Sequence, residues 1–243
     1  GFVICSSSDK GTNWNRASEG DWNAYFKFNA IDPSFIITPE GEHWLIYGSW
    51  HSGIAAVQLN PETGKTLAEL PKSYGTAAEI APYGKLIFTR TNGGRWQGAE
   101  APEIVYHDGY YYLFLAYDAL DIPYNTRVLR STKVDGPYET LNGAVTDASK
   151  GANNNPTVLT HPYKFSEGYG WVGISHCAVF DDGNGNWYYA SQQRFPANVG
   201  GNAYSNAIMM GGVRSIQWES NGWPTVMPER YGAVPQVSIS ESE

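Results

Sequence analysis

Three residues of this chain combine a reactive side chain with a matched setting: Asp32, Glu100 and His176. Asp32 opens the run DPSFIIT, Glu100 the run EAPEIVYH and His176 the run HCAVF, and each run reads as the start of a β-strand. Two carboxyl groups held on either side of one bond can divide acid from base, or acid from the group that tunes it. An imidazole beside them can carry a proton or hold a metal ion. Singly, each has an ordinary reading, a solvated acid at a strand start or a histidine bonded in a core. Their matched placement speaks for a joint role. Pro102, two residues after Glu100, fixes its own φ and is expected to push Ala101 into an extended conformation.

The elements that would position them recur along the chain. Around Glu100, strand 103–107 leads through a turn at Asp108–Gly109 into the aromatic strand 110–117, with a third strand at 125–131. Around Asp32 the same layout reads as strand 34–38, a turn at 39–42, strand 43–47, a corner at Gly48–Ser49–Trp50 and strand 54–59. Around His176 it reads as strand 175–180, a turn at 181–185, strand 186–192 and strand 207–219. The units begin near residues 31, 100 and 174, spacings of roughly 70 residues, and a repeated antiparallel meander of this kind is the mark of β-propeller blades. In a propeller the first strand of each blade lines the central channel, so the three groups would converge at one channel mouth. The chain is expected to be all-β, with residues 1–235 a partial propeller and 236–243 a polar tail. Residues 2–5 read as a further apolar strand, and 9–28 as an irregular loop.

Composition fits that class. Of 243 residues 42% are hydrophobic, 14% aromatic and only 16% charged, with 27 Gly and 14 Pro, a pattern of many short strands and tight turns. A net charge of −8 speaks against nucleic acid, whose phosphates demand clustered Lys and Arg. Aromatics with few charges suit sugars, whose C–H faces stack on rings and whose hydroxyls bond to neutral polar groups. No apolar run is long enough to span a membrane as a helix. Cys5 and Cys177 form neither a metal spacing nor a disulfide framework and read as buried free thiols.

The stretches NAIDPSF, WLIYGSWHSGI, AEAPEIVYHDGYYYLF, RVLRSTKVDGPY, PYKFSEGYGWVGISHCAVF, WYYASQQRFP, NAIMMGGVRSIQW and GWPTVMPERY together resemble the arabinanases of glycoside hydrolase family 43. The resemblance implies a five-bladed propeller, of which this chain would supply roughly the last three blades and part of another. It implies cleavage of α-1,5-linked arabinan by inversion, in which an acid protonates the leaving oxygen while a carboxylate activates water on the opposite face. Glu100 matches the general acid, and Asp32 the carboxylate that tunes the acid's pKa and orients it. His176 matches the channel histidine beside a hydrated calcium ion. Calcium prefers oxygen ligands, so a lone imidazole would leave most of its shell to water.

The chain departs from the family at the general base, an Asp of the first blade for which no matching segment exists. Asp9 and Asp21 lack the strand-start setting and are not put forward. An N-terminal segment, as a second polypeptide or a part cut away, is therefore expected to complete the propeller. Sugar contacts are read more weakly, from Asn29, Ser49 and Trp50 near the first corner and from Tyr117 and Gln193 at the ends of aromatic strands. Arg127, Arg130 and Arg214 read as structural. Arabinan is a wall polymer too large to enter cells, so the complete enzyme is expected to be secreted or periplasmic, although no leader is recognised. Two alternatives stay open: a carbohydrate-binding propeller without catalysis, and an exo-acting arabinofuranosidase or xylosidase of the same family.

Overall fold

The computed structural model describes residues 3–4, 28–70, 81–91, 96–146, 150–158, 171–194 and 209–228. Among these residues thirteen strands form three antiparallel sheets, each built of strands consecutive in the chain. Sheet one contains β1 (Ser34–Ile37), β2 (His43–Tyr47), β3 (Ile54–Leu59) and β4 (Lys85–Phe88). Sheet two contains β5 (Ala99–His107), β6 (Tyr110–Tyr117), β7 (Asn125–Ser131), β8 (Tyr138–Thr140) and β9 (Val145–Thr146). Sheet three contains β10 (Val172–Asp181), β11 (Trp187–Arg194), β12 (Met209–Trp218) and β13 (Pro224–Val226). Among the described residues the only helical element is a 3-10 turn, Ala81–Tyr83.

Sheet two sits between the other two, and β6 shows why. Its sequence YYYLFLAY has no polar face, and the alternation of side chains shares it between two cores. Tyr111, Leu113, Leu115 and Tyr117 pack with Ile46, Ile54, Ile87 and Phe88 of sheet one. Tyr112 and Phe114 pack with Ile174, Val179, Tyr189 and Ile216 of sheet three. A strand buried on both faces requires a sheet on each side. The outer faces of sheets one and three carry exposed apolar side chains, Phe35 and Ile37 on β1 and Phe180 and Met209 on β10 and β12.

Several sequence expectations shift. Glu100 lies inside its strand and not ahead of it, because β5 begins at Ala99. Ala101 is not extended: its φ is +52°, at a bulge where the pairing steps from Glu100↔Ala116 to Glu103↔Phe114. Pro102 disfavours the right-handed helical region for Ala101, and a bulged residue accepts the left-handed one. The short strands β4, β8, β9 and β13 extend the meanders beyond three strands. The run 85–90 reads as strand-like in the sequence and contains β4, whereas β8, β9 and β13, of two or three residues each, carry too little alternation to be read by pattern. Val3 and Ile4 are not in a strand; they pack against the cluster of Phe28, Tyr47 and Tyr83. Cys177 is a buried free thiol, and Asp9, Asp21, Cys5 and the tail from 236 lie outside the described residues.

Candidate active site

The inner strands of the three sheets share one irregularity. In β5 it falls between Glu100 and Glu103, and in β10 between Ser175 and Ala178. Ahead of β1, the Gly48 amide bonds to the Ile31 carbonyl while Ser34 pairs with Ile46, which is the same offset. Asp32, Ala101 and His176 occupy the bulge with φ of +54°, +52° and +56°. Left-handed backbone is uncommon for residues with a side chain, and its repetition at equivalent points marks a device that re-aims side chains. Glu100 therefore stands one position before the residue equivalent to Asp32 and His176.

The bulges bring the side chains together. Asp32 Oδ2 accepts a hydrogen bond of 3.1 Å from the Ala101 amide, the residue after Glu100. Ser49 Oγ donates to Glu100 Oε2 at 3.0 Å. Its place follows from the corner after β2, where the Trp50 amide bonds to the Ala99 carbonyl and the Gln97 amide returns to the Trp50 carbonyl. The Tyr124 hydroxyl donates to Glu100 Oε1 at 2.5 Å, and its oxygen lies 3.3 Å from His176 Nδ1. On its other side the His176 ring places Nε2 4.0 Å from Asp32 Oδ1.

Burial pushes the Asp32 carboxyl above the usual carboxylate range, and the neighbouring Glu100 adds to this; His176, the Ala101 amide and Ser49 pull the other way. The Tyr124 hydroxyl is held far above its ordinary value, first by burial and then by its bond to Glu100 and by the charges of Glu100 and Asp32. Tyr124 is a fixed donor, not a titrating group.

The arrangement thus gathers Asp32, Ser49, Glu100 and His176 from the residues singled out in the sequence. Asn29 stands behind them, donating to the Ser49 carbonyl at 3.3 Å. Trp50 is half-buried at the corner, with a φ of +55°. Tyr117 and Gln193 are not part of the group, since both are fully buried. The guanidiniums of Arg90 and Arg127 lie 4.6 and 4.9 Å from the centre of the Tyr117 ring, and its hydroxyl bonds to the Ala152 carbonyl. Gln193 Oε1 accepts from Arg214 Nη2 at 2.9 Å. Tyr124 escaped the sequence reading: it ends an irregular loop and has no counterpart in the other two units, its one signal being its place directly ahead of β7.

The donor set bears on the metal expectation. Among the described residues no group of three or more His, Cys, Asp or Glu side chains could enclose an ion. Calcium takes six to eight oxygens. His176 and Asp32 fit an ion that keeps most of its water and do not fit a dehydrated one.

The family described as glycosyl hydrolases family 43 matches residues 2–224. Extracellular endo-alpha-(1->5)-L-arabinanase 2 of Bacillus subtilis is 30% identical over 234 residues, covering 88% of this chain and 45% of the relative. Extracellular endo-alpha-(1->5)-L-arabinanase of Thermotoga petrophila is 31% identical over 231 residues, covering 88% and 44%. The crystal structure of endo-1,5-alpha-L-arabinanase from Thermotoga petrophila RKU-1 superposes with a TM-score of 0.69 at 28% identity, over 90% of this chain and 47% of that one. The chain spans a little under half the length of these curated relatives, 45% and 44%.

Proposed function

This chain belongs to glycosyl hydrolases family 43, and from that premise we propose that it is part of an enzyme that hydrolyses α-1,5-linked arabinan with inversion. The reading rests on one observation: Asp32 bonds to the amide adjoining Glu100, so carboxyl groups from two sheets share one mouth. Glu100 gives its proton to the leaving glycosidic oxygen as the bond from that oxygen to the anomeric carbon breaks. Water attacks the opposite face of that carbon and yields its proton to a base. Ser49 and Tyr124 hold the two oxygens of Glu100, and the Asp32 charge faces the developing positive charge on the sugar. Trp50 borders the mouth on the side where neighbouring sugar units would lie, and Asn29 supports Ser49 from behind; Tyr117 and Gln193 are buried away from the sugar.

The base belongs to a further part of the same propeller, as a joined segment or a second polypeptide. Two observations support this. The relatives are about twice as long as this chain, which covers 45% and 44% of them. The apolar outer faces at Phe35 and Ile37, and at Phe180 and Met209, are also what further blades would cover. In this reading residues 1–235 are roughly the last three blades, and part of another, of a five-bladed propeller. The relatives named above are described as extracellular, which supports secretion of the complete enzyme. No helix among the described residues is long and apolar enough to cross a membrane.

A hydrated calcium ion beside His176 belongs to the same proposal; His176 and Asp32 would hold its water shell, and the ion would supply positive charge and ordered water at the mouth. In the complete protein, His176→Ala is expected to weaken calcium binding at least tenfold by calorimetry. Equal affinity in the variant would remove His176 from the site.

The function itself is tested by incubating the complete protein with linear arabinan and following products over time. Early long oligosaccharides are expected. Arabinose, or one short product alone, would make the enzyme exo-acting, and binding without new reducing ends would make it a carbohydrate-binding propeller.

A further inference from the structure

Glu103 is a half-buried carboxylate in the inner strand of the middle sheet, and the mechanism above does not use it. It is nonetheless bonded to both neighbouring sheets. Its Oε2 accepts from Ser34 Oγ of β1 at 2.9 Å, and its Oε1 accepts from the Val179 amide of β10 at 3.1 Å. Ser34 Oγ in turn accepts from the Ile104 amide at 3.1 Å. Burial raises the Glu103 carboxyl above its ordinary range, against the lowering effect of the bonds from Val179 and Ser34.

These contacts follow a rule of the fold. An inner strand has no neighbour on its channel side, so its outward N–H groups need partners from elsewhere. Here side chains supply them sheet by sheet: Asp32 caps Ala101, Ser34 caps Ile104 and Glu103 caps Val179. Glu103 is the one residue in this chain of contacts that touches all three sheets. Ser34 lies two residues after Asp32, Glu103 three after Glu100, and Val179 three after His176. Each atom held by Glu103 thus sits just beyond one of the bulges that aim the three groups at the mouth.

We propose that Glu103 is a positioning residue for hydrolysis, a carboxylate clamp that sets the inner strands of three sheets in register and so fixes Glu100 relative to Asp32 and His176. The proposal rests on the arabinan-cleaving reading for its substrate but not for its geometry. A residue that only stabilises the fold would change every substrate alike. A clamp that aims the acid matters most where the leaving group needs a proton.

In the complete protein, Glu103→Ala is expected to lower kcat on arabinan about tenfold or more with KM little changed. Turnover of an arabino-oligosaccharide with a nitrophenolate leaving group should fall less than about threefold. Glu103→Gln can keep the Val179 bond through Oε1 and donate to Ser34 through Nε2, so it should restore most of the loss. Ser34→Ala removes the other half of the clamp and tests it should Glu103→Ala fail to fold; it is expected to show the same selective loss. Equal losses on both substrates, or none in either variant, would overturn the clamp. If the wild type leaves arabinan intact, the functional reading fails by itself. Amide exchange then decides the clamp: in the folded variants Ala101, Ile104 and Val179 should exchange faster together, and unchanged exchange would refute it.

Discussion

Glu100→Ala is expected to lower kcat on linear arabinan by about a thousandfold, within the range for a lost general acid, while the protein stays folded. The size follows from chemistry. An alkoxide expelled without a proton is a very poor leaving group, and neither side chain bonded to the Glu100 carboxyl can supply that proton in its place. Tyr124 touches both Glu100 and His176, but burial holds its hydroxyl proton too tightly for transfer. Ser49 is an alcohol, and its place is set by the Trp50–Ala99 backbone bond, which the substitution leaves alone. The fold should survive because the cores flanking β6 do not include Glu100. The control is a substrate whose leaving group needs no protonation. On a nitrophenyl arabino-oligosaccharide the variant should retain activity within about tenfold of the wild type. A loss of the same size on both substrates would mean that Glu100 binds or orients sugar, and unchanged turnover of arabinan would remove it from the chemistry.

The parts of this site that were legible in the sequence are those that repeat. The strands 43–47, 110–117 and 125–131 can be read to the residue, because their apolar runs are bounded by turn residues on both sides. The same repetition puts Asp32, Glu100 and His176 in equivalent neighbourhoods. It could not show that Glu100 is offset by one position, because the bulge depends on which backbone amides find partners across the channel and not on local pattern. Ala101 illustrates the limit. The proline after it argues for extended backbone, yet the bond from its amide to Asp32, 69 residues away, goes with a left-handed one. Tyr117 and Gln193 misled for a related reason. A polar aromatic or an amide at a strand end reads as a ligand contact, and only the arginines stacked or bonded against them show that they face the interior. Tyr124 and Glu103 lie at the other extreme. Each gains its role wholly from residues of other sheets, which no local window contains.

Asp32→Asn is expected to make the protein more stable at neutral pH and far less active. Its carboxyl is raised above the unfolded value mainly by burial, then by the charge of Glu100, and the opposing help from His176, Ala101 and Ser49 does not offset this. The folded state therefore holds the Asp32 proton more tightly than the unfolded chain does. Below the ordinary carboxylate range Asp32 is protonated in both states and costs nothing. As pH rises through that range to the raised folded value, the ionised form becomes a growing burden on the fold, and above it the burden is full. Asparagine removes that burden and still accepts the Ala101 amide through Oδ1. The melting temperature of Asp32→Asn should exceed that of the wild type at pH 7, and the difference should vanish near pH 3. Hydrolysis of arabinan should meanwhile fall by about a hundredfold, because an oxocarbenium-like transition state loses a fixed negative charge beside it. A variant that is destabilised at pH 7 would show that the Asp32 carboxylate is held in place for the fold. A variant as active as the wild type would show that its charge does not serve the reaction. A gain in stability bought with a loss of turnover is the expected mark of a carboxylate kept buried for chemistry.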